Sequence, residues 1–372
     1  MKVVVVGGGY GGTEVIRQLV LRGTKNLETT LVSNRRYFEN IIGGTEIISE
    51  KIQASDLRYD LGELSKYWDF SLIVGRANRF DLLRKTIAVG NRQEDYDVLV
   101  VAVGSEPNFP NVKGANLAHP SYRLSDFSRL NGWIRKNADG TSKIIVAGAG
   151  FVGLEVVAEI LDLLRGMGNG ADITVVEKMN TVLPAYNSDL AREIAFKTFS
   201  SRGVKFVLGN GVKSVETGRA VLDDGTKIET DLTVWTAGIK GCLSYSQVPR
   251  GSLRRGCIDV DERLLIKGVT GAFAIGDAAN VVINGKEAAK MAAEALVQAR
   301  TTAKNIELIA QARKPRISHM PNYTTDFPKA LMSIGGGKAM LIFGTQFVST
   351  GVTEYFLKKR IDVDEIMGRF PQ

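Results

Sequence analysis

The chain has 372 residues, 44% hydrophobic and 24% charged, and 48 Lys and Arg against 40 Asp and Glu give it a formal net charge of +8. This composition excludes a disordered or fibrous chain and leaves room for two or three packed domains. No apolar stretch is long enough to span a bilayer, and no signal peptide is expected because Met1 leads directly into a strand pattern. The positive charge suits acidic ligands or an anionic lipid surface, and no nucleic-acid motif or metal-ligand cluster accompanies it.

In chain order, a β-branched run at 2–6 ends at Gly7, Gly9 and Gly12 in the spacing G-x-G-x-x-G, and a helix is predicted over 14–21. In such a turn the first glycine allows the bend, the second lets backbone N–H groups approach a pyrophosphate, and the third lets helix pack on strand. The next strand pattern, 30–32, runs into Ser33-Asn34-Arg35-Arg36 with no acid at its end, so Ser33 and Asn34 are expected to hold the adenosine side of a dinucleotide there. A buried strand pattern over 96–104 ends in Gly104.

The strand–turn–helix pattern then repeats, with an apolar run at 143–147, Gly148, Gly150 and Gly153, and a helix predicted over 154–164. Here the following strand pattern, 173–177, ends in Glu177, an acid placed to accept hydrogen bonds from ribose hydroxyls and to repel a 2′-phosphate. NADH is therefore expected over NADPH. A strand pattern over 231–238, ending in Gly238, has the same form as 96–104, and the two read as crossings between domains. A further strand over 271–277 ends in Gly276-Asp277, a helix is predicted over 287–310, short strands from 329, and a last helical stretch from 352.

This order reads as an α/β chain of two Rossmann-like dinucleotide-binding domains, the second inserted in the first, with a small C-terminal α+β segment. The expected boundaries are 1–110 and 241–320 for the first domain, 111–240 for the inserted one and 321–372 for the C-terminal segment.

With Gly7 to Gly12, 96–109, Gly148 to Glu155, Trp235 to Gly241 and Ala274 to Asp277, the chain resembles the two-dinucleotide flavoprotein disulfide reductase superfamily. Within it, the type II NADH dehydrogenases, non-proton-pumping NADH:quinone oxidoreductases, are the most similar branch. The resemblance implies FAD at Gly7, Gly9 and Gly12, with Asp277 on the ribityl chain and Gly276 and Gly104 beside it. It implies NADH at Gly148, Gly150 and Gly153, with Glu177 on its ribose, Gly238 nearby and Glu155 on the nicotinamide side. An acid in the first turn of a helix is also favoured by the macrodipole alone.

The only cysteines, Cys242 and Cys257, are not where a disulfide reductase or a sulfide:quinone oxidoreductase keeps its redox pair. A local disulfide or two inert thiols is the expected reading. The glutamines of the family's quinone signature fall at Ala293 and Val297, so quinone as acceptor rests on the rest of the chain. The segment Met332 to Ala339 resembles one whose lysine reaches the flavin and quinone, making Lys338 a candidate for stabilising negative charge; a solvated turn lysine is the alternative.

Val352, Tyr355, Phe356, Leu357, Ile361, Ile366, Met367 and Phe370 alternate with Lys358-Lys359-Arg360, a pattern suited to weak peripheral membrane contact or a homodimer contact. The expected location is cytoplasmic, at the cytoplasmic face of the membrane where that contact forms. A sulfide:quinone oxidoreductase-like enzyme, a soluble NADH oxidase and a protein-carrier reductase remain the alternative functions.

Overall fold

A computed structural model describes residues 1–109, 112–241, 253–254, 256–366 and 370; Cys242 and Met367 lie outside the described residues. Two five-stranded parallel sheets organise it. The first runs Ala272–Ala274, Val98–Val101, Lys2–Val6, Glu28–Ser33, Ser71–Val74, with Val6 paired to both Val32 and Val101. Val3, Val4 and Val5 are fully buried, which is why the strand reads as an unbroken apolar run rather than an alternating one. The helix Tyr10–Leu21 packs on this sheet and against the helix Ala292–Ala310.

The second sheet runs His119–Pro120, Leu232–Trp235, Lys143–Ala147, Asp172–Glu177, Lys205–Leu208, again all parallel. Its strands fall in sequence between Val98–Val101 and Ala272–Ala274 of the first sheet, so the chain leaves one sheet, builds the other and returns. The two crossing segments meet, Ser105–Pro107 pairing antiparallel with Ile239–Gly241.

Both fingerprint helices begin earlier than their propensity suggests. They start at Tyr10 and Phe151, straight after the extended residues Gly9 and Gly150, and take the remaining glycines into their first turns. Glycine is a poor helix former, so the sequence pattern places the start after it; close packing of the turn on the strand overrides that preference. The helix expected over 287–310 is shorter, Ala292–Ala310, because Lys286–Glu287 folds back on Val282–Ile283 as a hairpin around Gly285.

The C-terminal segment is a three-stranded antiparallel sheet, Lys329–Gly335, Lys338–Phe343 and Phe347–Gly351, followed by the helix Val352–Ile366. Met332, Ile334, Met340 and Ile342 share one buried cluster with Leu154, Val157 and Ile160 of the central helix Phe151–Gly166, so the sheet caps that helix.

The membrane pattern expected of the last helix is only half realised. Lys358 is buried, pairing with Asp362 at 3.1 Å, and Lys359 pairs with the buried Glu46, so these two cations turn inward and do not face headgroups. Phe370 also leaves the stripe. It is buried against Tyr59, Phe38 and Trp68, with its ring 4.2 Å from that of Tyr59. Val352, Phe356, Leu357 and Ile361 do face outward. Among the described residues no helix is long and apolar enough to cross a membrane.

Candidate active site

The ends of the two sheets open into one cavity of about 1610 Å³, lined by both glycine turns. The glycines of each turn answer to different neighbours. A Cβ on Gly12 would sit 1.9 Å from the Gly7 carbonyl oxygen, and one on Gly153 would sit 2.1 Å from that of Gly148; these two exist so that helix and strand can touch. Gly7 and Gly148 hold φ of +120° and +108°, a region that side chains disfavour. Gly9 and Gly150 are different, because a Cβ there would meet no protein atom within 4 Å and would project into the cavity.

A residue kept small with nothing of its own protein beside it fits a site shaped for a ligand. At each turn the following helix presents its N-terminal N–H groups to the same space, where phosphate is held by unpaired donors and the helix dipole. Both turns therefore fit a dinucleotide pyrophosphate. Gly104 and Gly238, at the roots of the crossing strands, line the cavity between them with φ of +73° and +90°.

Ser33 and Asn34 line the end of the cavity beyond the first turn, where Ser33 Oγ accepts from the Arg35 backbone N–H at 3.2 Å. The missing strand-end acid has a neighbour that the strand pattern did not reveal. Glu39, in the short strand Tyr37–Glu39, lines the same cavity and is held by Arg35 at 2.9 Å and Arg58 at 3.3 Å.

At the second turn Glu177 is pinned. Its carboxylate accepts from the backbone N–H groups of Ala149 and Met179, each at 2.8 Å, which fixes it at the turn with lone pairs left for ribose hydroxyls. That geometry sets the variant to use. Alanine would leave two buried donors unpaired, whereas Glu177→Gln keeps an acceptor while removing the charge. In Glu177→Gln the ratio of kcat/KM for NADH to that for NADPH is expected to fall about tenfold, as loss of roughly 1.4 kcal/mol of discrimination would give. Steady-state rates with both nucleotides check this; an unchanged ratio would remove Glu177 from the ribose.

Gly276 and Asp277 stand at the cavity wall beneath the first sheet. Asp277 accepts from Ser105 Oγ at 2.7 Å, and the Tyr122 hydroxyl donates to the Ser105 carbonyl at 2.8 Å, tying the motif to the crossing strand. Gln298 supports it from behind, its side-chain oxygen accepting from the Gly276 N–H at 2.7 Å. The quinone-signature positions behave as their residue types suggest. Ala293 lines the cavity without a polar side chain, and Val297 is not part of the lining.

Glu155 lines the cavity from the second turn of the central helix, which begins at Phe151, and is only 3% exposed. Burial pushes its carboxyl up to about 7, against the opposing pull of Lys358 at 3.9 Å and the Ser333 backbone N–H at 2.9 Å. Burial works against the charge of Lys358, but Glu155, Asp362 and Glu46 outweigh it and hold the ammonium firmly protonated. A buried acid titrating near neutrality beside a permanent cation can hold or release a proton at the cavity wall.

Lys338 does not take the place expected of it. It opens the second strand of the C-terminal sheet, opposite Gly335 across a turn of three positive-φ glycines, exposed and outside the cavity lining. The local motif signals a tight hairpin, and the lysine at its tip points to solvent. Lys358, from the last helix, does line the cavity. Its signal in the sequence is the spacing Tyr355, Lys358, Asp362, which puts an opposite-charge i, i+4 pair on the inner face of the last helix. Lys290, which donates to the carbonyls of Asp277 and Ala279, also lines the cavity and was not singled out.

Cys257 lies outside the lining, its thiol donating to the Asp277 carbonyl at 3.3 Å. The double variant Cys242→Ser, Cys257→Ser is expected to keep NADH-driven flavin reduction at the wild-type rate. Stopped-flow spectroscopy measures it, and a large loss in a normally melting protein would place the cysteines in the chemistry.

Two parallel sheets that each present a glycine turn and a helix N-terminus to one shared cavity define the two-dinucleotide class of α/β oxidoreductases. The chain belongs to the pyridine nucleotide-disulphide oxidoreductase family, whose model matches residues 1–314. Among its relatives is a type II NADH:quinone oxidoreductase of Staphylococcus aureus, 25% identical over 386 aligned positions that cover 97% of this chain and 94% of the relative. The fold is shared with the sulfide:quinone oxidoreductase of Aquifex aeolicus, at TM-score 0.83 and 15% identity over 99% of this chain and 91% of that one. It is shared also with NDH2 from Plasmodium falciparum in complex with NADH, at TM-score 0.80 and 15% identity over 99% of both chains.

Proposed function

We propose that the chain is a FAD-dependent NADH dehydrogenase that passes electrons from NADH to a quinone. The observation that carries the reading is the cavity itself: both glycine turns, Asp277, Glu155 and an apolar mouth belong to one continuous space. When bound, FAD supplies the ring that accepts hydride from NADH and returns electrons two at a time or singly.

The chain's own residues do the rest. Gly7 and Gly9 with the helix from Tyr10 hold the FAD pyrophosphate, Ser33, Asn34 and Glu39 its adenosine side, and Asp277, fixed by Ser105, its ribityl hydroxyls. Gly148 and Gly150 with the helix from Phe151 hold the NADH pyrophosphate, and Glu177 its ribose. Gly104, Gly238 and Gly276 keep the walls between them free of side chains. Glu155 holds a proton at the cavity wall, and Lys358, in the role expected for Lys338, offsets negative charge that develops beside it.

The acceptor end is apolar. Leu296, Leu331, Leu341, Ile342, Phe343 and Ile361 line the cavity beside the C-terminal sheet and helix, a surface for a hydrophobic ring and tail. Polar contact there falls to Lys290, Tyr323, Lys329 and Lys358 in place of the usual glutamines. Steady-state NADH oxidation with quinone, oxygen, ferricyanide and sulfide compared side by side tests the reading. A chain that reduces only oxygen or a protein carrier, or that needs sulfide, would replace it with one of the alternatives.

The outward residues Val352 and Phe356, 49% and 68% exposed, stand on the helix that borders this mouth. This supports a peripheral membrane contact that lets a lipid-soluble acceptor enter from the bilayer. The double variant Val352→Ser, Phe356→Ser is expected to lose most of its co-sedimentation with liposomes while keeping its melting temperature. Loss of a dimer instead, by light scattering, would assign the face to a second copy of the chain.

A further inference from the structure

The end of the second nucleotide site that holds Glu177 carries further charges. Lys178, Lys213 and Asp223 line the cavity together with it. Two acids and two cations leave this end balanced, and loss of either acid would leave it net positive. A 2′-phosphate brings about two negative charges near neutral pH. Lys178 follows Glu177 directly, so a free ammonium there would offer that phosphate the partner that Glu177 denies it.

The backbone holds Asp223 against this lysine. The strands Val212–Glu216, Arg219–Leu222 and Lys227–Glu229 form a small antiparallel sheet, and Asp223 stands in the turn between the last two. Its N–H donates to the Gly211 carbonyl at 2.9 Å, and the N–H of Asn210 donates to the Glu177 carbonyl at 3.1 Å. Two backbone hydrogen bonds thus chain the turn to the strand end that carries Glu177 and Lys178.

The Asp223 carboxylate lies 3.8 Å from the Lys178 ammonium. Gly211 makes room for it. A Cβ there would lie 2.6 Å from Asp223 Oδ2 and 3.6 Å from Lys178 Cδ, so a side chain would push the carboxylate aside. Gly211 is not among the glycines with positive φ, and its conformation does not require a glycine. The space does.

We propose that Asp223 is a second determinant of coenzyme choice, pairing with the Lys178 ammonium and so withholding it from a 2′-phosphate. The proposal rests on NADH binding at the second glycine turn, as given above. Glu177 repels the extra phosphate directly, whereas Asp223 acts through Lys178. The lysine side chain is 79% exposed and the aspartate 47%, so water screens the pair and its effect is modest.

The test reads binding separately from turnover. NAD⁺ and NADP⁺ are titrated by calorimetry into oxidised holoenzyme of the wild type, Asp223→Asn, Lys178→Met and the double variant; neither nucleotide has a hydride to give. In Asp223→Asn the affinity for NADP⁺ relative to NAD⁺ is expected to rise about three- to fivefold at low salt, the scale of one exposed charge pair. The gain should shrink in concentrated salt, which screens charge and leaves shape unaltered. Lys178→Met alone should change the ratio little. In the double variant the gain should vanish, because the cation that Asp223→Asn releases is no longer there. The ratio of kcat/KM for NADPH to that for NADH should move in parallel.

An unchanged ratio in Asp223→Asn, or a gain that survives in the double variant or in concentrated salt, would overturn the proposal. Glu177→Gln separates that failure from failure of the site itself. A ratio that rises in Glu177→Gln but not in Asp223→Asn keeps the NADH site and removes Asp223 from coenzyme choice. A wild type that binds neither nucleotide overturns the site, and the proposal with it.

Discussion

Gly9→Ala is expected to give a folded protein that has lost its flavin. Its added Cβ meets no protein atom within 4 Å, so the apoprotein should melt as the wild-type apoprotein does. The methyl group instead occupies the space toward which the backbone donors of the turn point. FAD affinity should fall by a factor of about a hundred or more, roughly 2.7 kcal/mol.

Gly12→Ala is expected to fail in the opposite way. Its Cβ would lie 1.9 Å from the Gly7 carbonyl oxygen, so helix and strand must separate before any ligand is considered. Overpacking of this kind costs about 1–3 kcal/mol, and the melting temperature of the apoprotein itself should drop. Absorbance of the released flavin and calorimetry of both apoproteins separate the two outcomes. Equal melting of the two variants would show that the cavity is not what keeps Gly9 small.

The second large effect is expected at Glu155. Glu155→Gln removes a proton-holding group at the cavity wall but keeps its size and an acceptor for the Ser333 N–H. Turnover with quinone should fall about a hundredfold, within the range of a general acid or base. The pH dependence of turnover expected of the wild type around 7 should disappear with it.

Stability gives an independent reading of the same residue. The folded carboxyl is raised above its unfolded value by burial, so its favourable contribution is complete below about pH 4.5 and is lost as pH rises through about 7. The variant, which cannot ionise, should match the wild type at acid pH and melt a few degrees higher above neutrality. A variant less stable at pH 8 than at pH 5 relative to wild type would show that Glu155 is ionised at little cost.

Much of the scaffold was legible because its signals are local. Parallel strands buried on both faces leave continuous β-branched runs, and a glycine turn bound to strand and helix has a fixed spacing; Lys2–Val6, Lys143–Ala147 and both turns stand where those patterns put them. The acid at Glu177 was likewise set by its distance from the turn. The wall opposite was not legible in the same way. Lys358, Ser333 and Glu155 come together through packing of the last helix and sheet on the central helix, a pairing between segments that no short-range pattern encodes.

Lys338 shows how a motif misleads. Its neighbouring glycines are there to turn a hairpin, and the lysine's side chain goes where the hairpin sends it. Glu39 was missed for a related reason, since a strand-end rule looks only at the strand end.

The inward pairing of Lys358 and Lys359 has a consequence for how the last helix meets any surface. Two of its cations are spent on Asp362, Glu155 and Glu46, while Val352 and Phe356 are turned outward. An attachment made through aliphatic and aromatic groups does not weaken as ionic strength rises, because screening acts on charges and not on buried apolar area. Washing with concentrated salt should leave such an attachment in place, and mild detergent should release it.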